Sequence, residues 1–355
     1  MTEDRGRSGP RDDGPDRDDR PAMLPPADDV VSAIAAGEPL EYAHLRALHH
    51  PTDAVVMRFV RLWPQLSAER RREVLAKLHQ LSAEDATLNF HRIHLSALRD
   101  PDVATRILAV RGLWEQERPE YMRLLTRQLR DDAESGVRAE VADALGRWVL
   151  AMEFALLSED DAEELASTLR EAVEDIEEQD EVRARALEAL GAWSDESVAE
   201  LISETYEIGN HRLRVAALRA MGRNASDSWL PILVYHFDDE DAEIRAVSAT
   251  SAGELLADEA VTPLTMLLED SDEDVQVAAV RALGEIGNDE SERILTRMLR
   301  ERGEPHLRRA VREALAEVQM LTMPMADDED RDPDFGGSPD EGGRDDGEGD
   351  EERER

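Results

Sequence analysis

From about Asp28 to Val318 the apolar residues recur at i, i+3, i+4 and i+7, the spacing of one buried helix face. No stretch alternates as a half-buried strand would. One segment returns along the chain: VRAEVADALG at Val137–Gly146, VRARALEALG at Val182–Gly191, LRVAALRAMG at Leu213–Gly222, IRAVSATSAG at Ile244–Gly253, VQVAAVRALG at Val275–Gly284 and LRRAVREALA at Leu307–Ala316. TRILAVRGLW at Thr105–Trp114 is a blurred earlier copy. Its second position holds Arg106, Arg138, Arg183, Arg214, Arg245, then Gln276, then Arg308, at intervals of 32, 45, 31, 31, 31 and 32 residues. A period of this kind predicts stacked supersecondary units.

Each unit divides into two helices. In the unit that contains Val275–Gly284, Asp258 opens a first helix carrying Val261, Leu264, Leu267 and Leu268. Pro263 stands near its first turn, where a missing amide donor costs least. The acidic turn EDSDED then places negative charge at the N-terminus of the second helix, where the helix dipole favours it. A small residue near the end of each second helix (Ala144, Ala189, Ala220, Ser251, Ala282, Ala314) predicts close approach of paired helices. The glycines at Gly146, Gly191, Gly222, Gly253 and Gly284 are expected to end those helices in the left-handed conformation. No unit can bury its apolar face alone, so the units must stack.

The V-R-x-x-A-x-x-A-L-G segment, preceded by an acidic turn at a period near 31, resembles the HEAT-like repeats of the phycobilisome-lyase type over about Asp100–Val318. The resemblance implies an all-α, right-handed α-solenoid of stacked helix pairs. It also implies a ladder in which a turn acid and a helix arginine hydrogen-bond between neighbouring repeats. The acids six residues ahead are Asp100 before Arg106, Asp132 before Arg138, Glu177 before Arg183 and Asp239 before Arg245, with Arg214 and Arg308 at the equivalent helix position. Ile208 in place of an acid and Gln276 in place of arginine predict weak rungs. The alternative is that these arginines grip a ligand.

Composition sets the boundaries. Residues 1–27 and 321–355 are dominated by Asp, Glu, Arg, Gly and Pro and are expected to be disordered tails, with Met23 a candidate start. Residues 28–99 read as degenerate helical units capping the stack, and 100–320 as the repeat array. The 45-residue interval marks a longer unit at 147–180 that carries RWVLAMEFALL; its Trp148, Met152 and Phe154 need cover, by local packing or by a docked partner. Acids outnumber Lys plus Arg by 82 to 42, a formal charge of −40. Such a surface repels phosphate backbones, so nucleic-acid binding is not expected. Lys77 is the only lysine, a bias that fits an arginine-rich codon usage better than salt adaptation. With no cysteine there is no thiolate chemistry. With no apolar run near the roughly 20 residues of a membrane span and no apolar core in the first residues, a soluble, cytoplasmic, monomeric protein is expected.

Candidate chemistry is sparse. Relatives of this repeat type include di-iron hydroxylases whose site uses His-Glu pairs, and none of the nine histidines here precedes Glu. His91 and His94 share a helix face, with His79 near, a pattern more often structural than metal-binding. DEDRDPDFGG at Asp328–Gly337 has Pro333 where a calcium loop requires glycine. No cofactor, metal or catalytic residue is assigned. The second helices are expected to line the concave wall and present Arg219, Val247, Thr250, Ala278 and Arg281 to a partner protein or peptide. The expected function is a non-catalytic scaffold or adaptor; the alternative is an enzyme or accessory akin to HEAT-like bilin lyases or hydroxylases.

Overall fold

In a computed structural model of the chain, residues 24–114, 116–300 and 305–322 are described. Nearly all of the two expected tails therefore lies outside the described residues. Every regular element among those described is a helix. The N-terminal region contains α1 (Ala27–Ala36), α2 (Tyr42–Leu45), α3 (Asp53–Leu62), α4 (Ala68–Glu84) and α5 (His91–Ser96). The array follows with α6 (Val103–Arg111), α7 (Pro119–Asp131), α8 (Ser135–Glu153), α9 (Glu159–Glu174), α10 (Asp180–Leu190) and α11 (Glu196–Ile208). It continues through α12 (His211–Arg223), α13 (Leu230–Tyr235), α14 (Ala242–Glu254), α15 (Val261–Leu267), α16 (Glu273–Ile286), α17 (Asp289–Arg300) and α18 (Pro305–Thr322).

Local chemistry starts these helices where the sequence places polar residues after turns. The Asp102 carboxylate accepts from the Thr105 amide at 2.9 Å, Asn210 caps α12 through Leu213, and Asp272 caps α16 through Asp274 and Val275. Each cap satisfies an amide that has no partner inside the helix. Pairs α7–α8, α9–α10, α11–α12, α13–α14, α15–α16 and α17–α18 are the hairpins of the repeat. The second helices α6, α8, α10, α12, α14, α16 and α18 pack one on the next, forming a continuous wall. Both layers extend into the N-terminal region, since α4 packs on α6 and α5 on α3. The core is one elongated seam between the layers, holding Leu75, Leu113, Leu145, Leu187, Leu218 and Leu283 with no exposure.

The repeat glycines do not end their helices in the left-handed conformation, and only Gly191 stands at a helix end. Gly146, Gly222, Gly253 and Gly284 lie inside their helices, and Gly191, which follows α10, has a right-handed φ of −51°. The left-handed turn comes three residues after the glycine, at Ala225 (φ 54°), Leu256 (φ 54°) and Gly287 (φ 60°). What the glycine supplies is close approach between units. A Cβ on Gly253 would stand 2.6 Å from the Cα of Ala282 in the next second helix, and one on Gly191 would stand 2.8 Å from the Cα of Ala220. The same crowding joins Gly222 to Ser251 and Gly284 to Ala314. Thus the glycine of one unit and the small residue of the next are two halves of a single contact.

Candidate interaction surface

The ladder runs along the starts of the second helices and uses Arg106, Arg138 and Arg245 twice each. Nη1 of Arg106 donates to the backbone carbonyl of Asp100 in its own turn at 2.8 Å, while Nε and Nη2 grip the Asp132 carboxylate of the next unit at 2.9 and 2.8 Å. Arg245 repeats this with the Asp239 carbonyl and the Asp270 carboxylate, each at 2.8 Å. Its guanidinium holds the Asp270 carboxyl below its ordinary value, against the opposing effect of burial. Arg138 bonds the Asp132 carbonyl and the carboxylate of Glu178, all at 2.7 Å, so the rung acid is Glu178 and not Glu177. Such two-pronged bonds use the planar fork of arginine, which lysine cannot reproduce.

Two expected rungs are absent among the described residues, and a third falls partly outside them. Arg183 turns to the Val173 carbonyl at 2.9 Å. Arg214 bonds no acid; Asp239 instead lies 3.0 Å from Nδ1 of His236, whose Nε2 is 2.7 Å from the Tyr206 hydroxyl. Arg308 is exposed, and the turn before it lies outside the described residues. One rung escaped the sequence reading: Arg71 pairs with Asp100 at 2.9 Å, and Asp100 also accepts from the Trp63 indole at 2.6 Å. Gln276 keeps half a rung by donating to the Asp270 carbonyl at 2.6 Å. The side chains of Arg106, Arg138 and Arg245 are only 12, 18 and 12 % exposed, so they face neighbouring units rather than solvent.

The wall of second helices carries a groove of about 390 Å³ that gathers all five expected contact residues, Arg219, Val247, Thr250, Ala278 and Arg281, together with Arg223, Glu254 and Asp274. Val247 and Ala278 are buried between neighbouring helices and form only its floor; Val215 and Ala216 are buried as well. Small side chains permit that helix approach, and the approach then covers them. Arg219 is half committed, donating to the buried Glu188 at 3.0 Å, while Arg185 holds the other oxygen at 3.1 Å. Arg223 donates to the Glu188 carbonyl at 2.9 Å. Arg281 is exposed and makes no hydrogen bond or ion pair among the described residues. Thr250 is exposed beside it.

Under the groove, burial pushes the Glu285 carboxyl up to about 7, reinforced by Glu254 and Glu317 and opposed by Arg281. Its Oε2 is buried without a hydrogen-bond partner. A carboxyl whose folded pKa is raised binds more protons folded than unfolded, so its contribution to stability falls as pH rises from about 4.5 to about 7. Glu285→Gln is therefore expected to gain stability over the parent at pH 8, by on the order of 1 kcal/mol, and little at pH 4. Melting curves at both values check this, and an equal effect at both would refute it.

The apolar residues of the long unit divide. Met152 is core, 8 % exposed, and lines no cavity; Trp148 is 1 % exposed and reaches the surface only as part of a cavity wall; Phe154 is 66 % exposed. Helix α8 runs seven residues past Gly146, whereas α12 and α14 end one residue past their glycines. That overhang creates a cavity of about 720 Å³ lined by Trp114, Trp148, Leu150, Phe154 and Leu156. Among the histidines, His94 is fully buried, its ring filling the space a Cβ on Gly112 would occupy, and burial lowers its pKa to about 3. His91 hydrogen-bonds Asn89 instead of pointing at a shared site.

Three overlapping stretches, residues 94–179, 166–252 and 230–316, match the family model of HEAT repeats. No curated protein matches the sequence. Among solved structures the chain is similar to the CpcE–CpcF complex of phycocyanin lyase from Nostoc, at 16% identity and TM-score 0.44, covering 64% of this chain and 94% of that one. It is similar to human deoxyhypusine hydroxylase at 19% identity and TM-score 0.32, covering 73% of this chain and 96% of that one. It is also similar to importin beta at 15% identity and TM-score 0.43, covering 81% of this chain and 44% of that one. With the family model matched over more than half its length and paired helices stacked at the same period, the chain belongs to the HEAT-repeat family.

Proposed function

We propose that the protein is a non-catalytic scaffold or adaptor that binds another protein or peptide along the wall of second helices. The observation that supports this most is the groove over α12, α14 and α16, where Arg281 stands exposed and, among the described residues, unpaired in a chain of formal charge −40. Several other arginines on this wall, among them Arg111, Arg212 and Arg219, are engaged by a carboxylate of the neighbouring unit. An extended segment with a carboxylate for Arg281 and small polar groups for Thr250 suits that relief. The excess of acid along the rest of the chain disfavours nucleic acid and anionic membranes as partners.

Affinity purification from the native cell, comparing the parent with Arg281→Ala and with Arg297→Ala on the opposite layer, tests the reading. Arg281→Ala is expected to lose the principal partner while its melting temperature is kept, and Arg297→Ala to retain it. An unchanged partner list for Arg281→Ala sinks this surface. Iron or a bilin bound to the purified protein would replace the scaffold by the enzyme-like alternative.

A further inference from the structure

The overhang of α8 builds a second site, separate from the groove. Aromatic residues are scarce in this chain, yet two of its five tryptophans, Trp114 and Trp148, line the 720 Å³ cavity. Trp114, Leu150, Phe154 and Leu156 are 48, 49, 66 and 74 % exposed, so four large apolar side chains face solvent in one place. A contiguous apolar patch of this kind marks an interaction site more often than bare surface. It is not a loose end of the fold. Glu153 at the end of the overhang accepts from the Ser194 amide at 3.0 Å in the following unit, and the Trp148 indole donates to the Glu117 carbonyl at 3.4 Å behind it.

Into this apolar lining the chain places one cation. Arg147 lies 4.2 Å from the Trp148 ring, and its Nε and Nη2 are buried with no hydrogen-bond partner among the described residues. Burial lowers its pKa to about 10, with Glu117 opposing. Unpaired buried donors are costly to keep, and a flat anion with two acceptors is what answers a guanidinium. The cavity thus asks for an apolar group and a carboxylate at short separation. In a polypeptide only the last residue carries both on one Cα; an internal Asp or Glu sits on a different residue from the apolar side chain. Glu117 also lines the cavity, and together with the acid excess of the chain it disfavours an anionic membrane.

We propose that this cavity captures the C-terminal residue of a partner polypeptide, with its large apolar side chain on Trp114, Leu150 and Phe154 and its terminal carboxylate at Arg147. Main-chain carboxylate capture is a recurring mode of peptide recognition. Titration of the full-length protein with the peptide acetyl-Ser-Gly-Leu-Phe as free acid, as C-terminal amide, and with dodecanoate, followed by tryptophan fluorescence and calorimetry, tests it. The free acid should bind at least about tenfold more tightly than the amide. Arg147→Met should abolish that preference, and Phe154→Ser, at an exposed position, should weaken the free acid by about tenfold without lowering the melting temperature. Equal affinity of acid and amide for the parent protein, or binding by neither, overturns the proposal. Tighter binding of dodecanoate than of the free-acid peptide assigns the site to a lipid and overturns it too.

Discussion

Asp100→Ala is expected to destabilise the N-terminal half of the stack by on the order of 3 kcal/mol or more. Its side chain is 1 % exposed, pairs with Arg71 at 2.9 Å, accepts from Trp63 at 2.6 Å and takes the Asp102 amide at 2.9 Å. Removing it leaves a guanidinium at 10 % exposure without its counter-charge and a buried indole N–H without its acceptor. The loss of a partner costs far more than the net worth of the pair, because the remaining charge stays desolvated. Asp100→Asn keeps an acceptor for Trp63 and should cost visibly less. Urea unfolding of both variants, with hydrogen exchange over α3–α6, is the check. A midpoint for the alanine variant within error of the parent would mean that Arg71 and Trp63 find water instead.

Gly253→Val should be the most damaging single change in the C-terminal half. The Cβ alone would meet the Cα and Cβ of Ala282 at 2.6 and 2.7 Å and the Glu285 carboxylate at 2.6 Å, and a main-chain neighbour cannot rotate aside. Overpacking of this kind costs about 3 kcal/mol, mostly by forcing α14 away from α16. Hydrogen exchange should quicken in α14 and α16 while α8 and α10 keep their protection, since repeat stacks transmit damage mainly to neighbours. Gly136, with nothing within 4 Å of its would-be Cβ, provides the control: Gly136→Ala should be tolerated. Uniform loss of protection along the chain would show that the units do not fail locally.

The helical period and the pairing into hairpins were legible because burial writes itself into apolar spacing. The meaning of the glycines was not. A glycine that frees φ and one that admits a neighbouring backbone look alike in a string, and only the φ values of Ala225 and Leu256 reveal that the turn lies three residues later. The ladder was half legible for a similar reason. Adjacent Glu177 and Glu178 are equivalent on paper, yet α10 begins at Asp180, and it is Glu178 that the turn directs at Arg138. Arg71 was invisible because RRREVLAKL lacks the repeat signature, although α4 occupies the same layer as the later second helices. On the groove, Val247 and Ala278 lie in its floor, and their burial depends on how closely α14 and α16 approach, which spacing alone does not fix.

Seven second helices with nearly interchangeable faces create a hazard during folding, because a face can settle against the wrong neighbour. The overhang of α8 removes that ambiguity for one joint. Its extra turns are tied behind through Trp148 to Glu117 and ahead through Glu153 to Ser194. It works as a key cut for one lock, a fixed origin from which the order of the remaining helices can be counted outward in both directions.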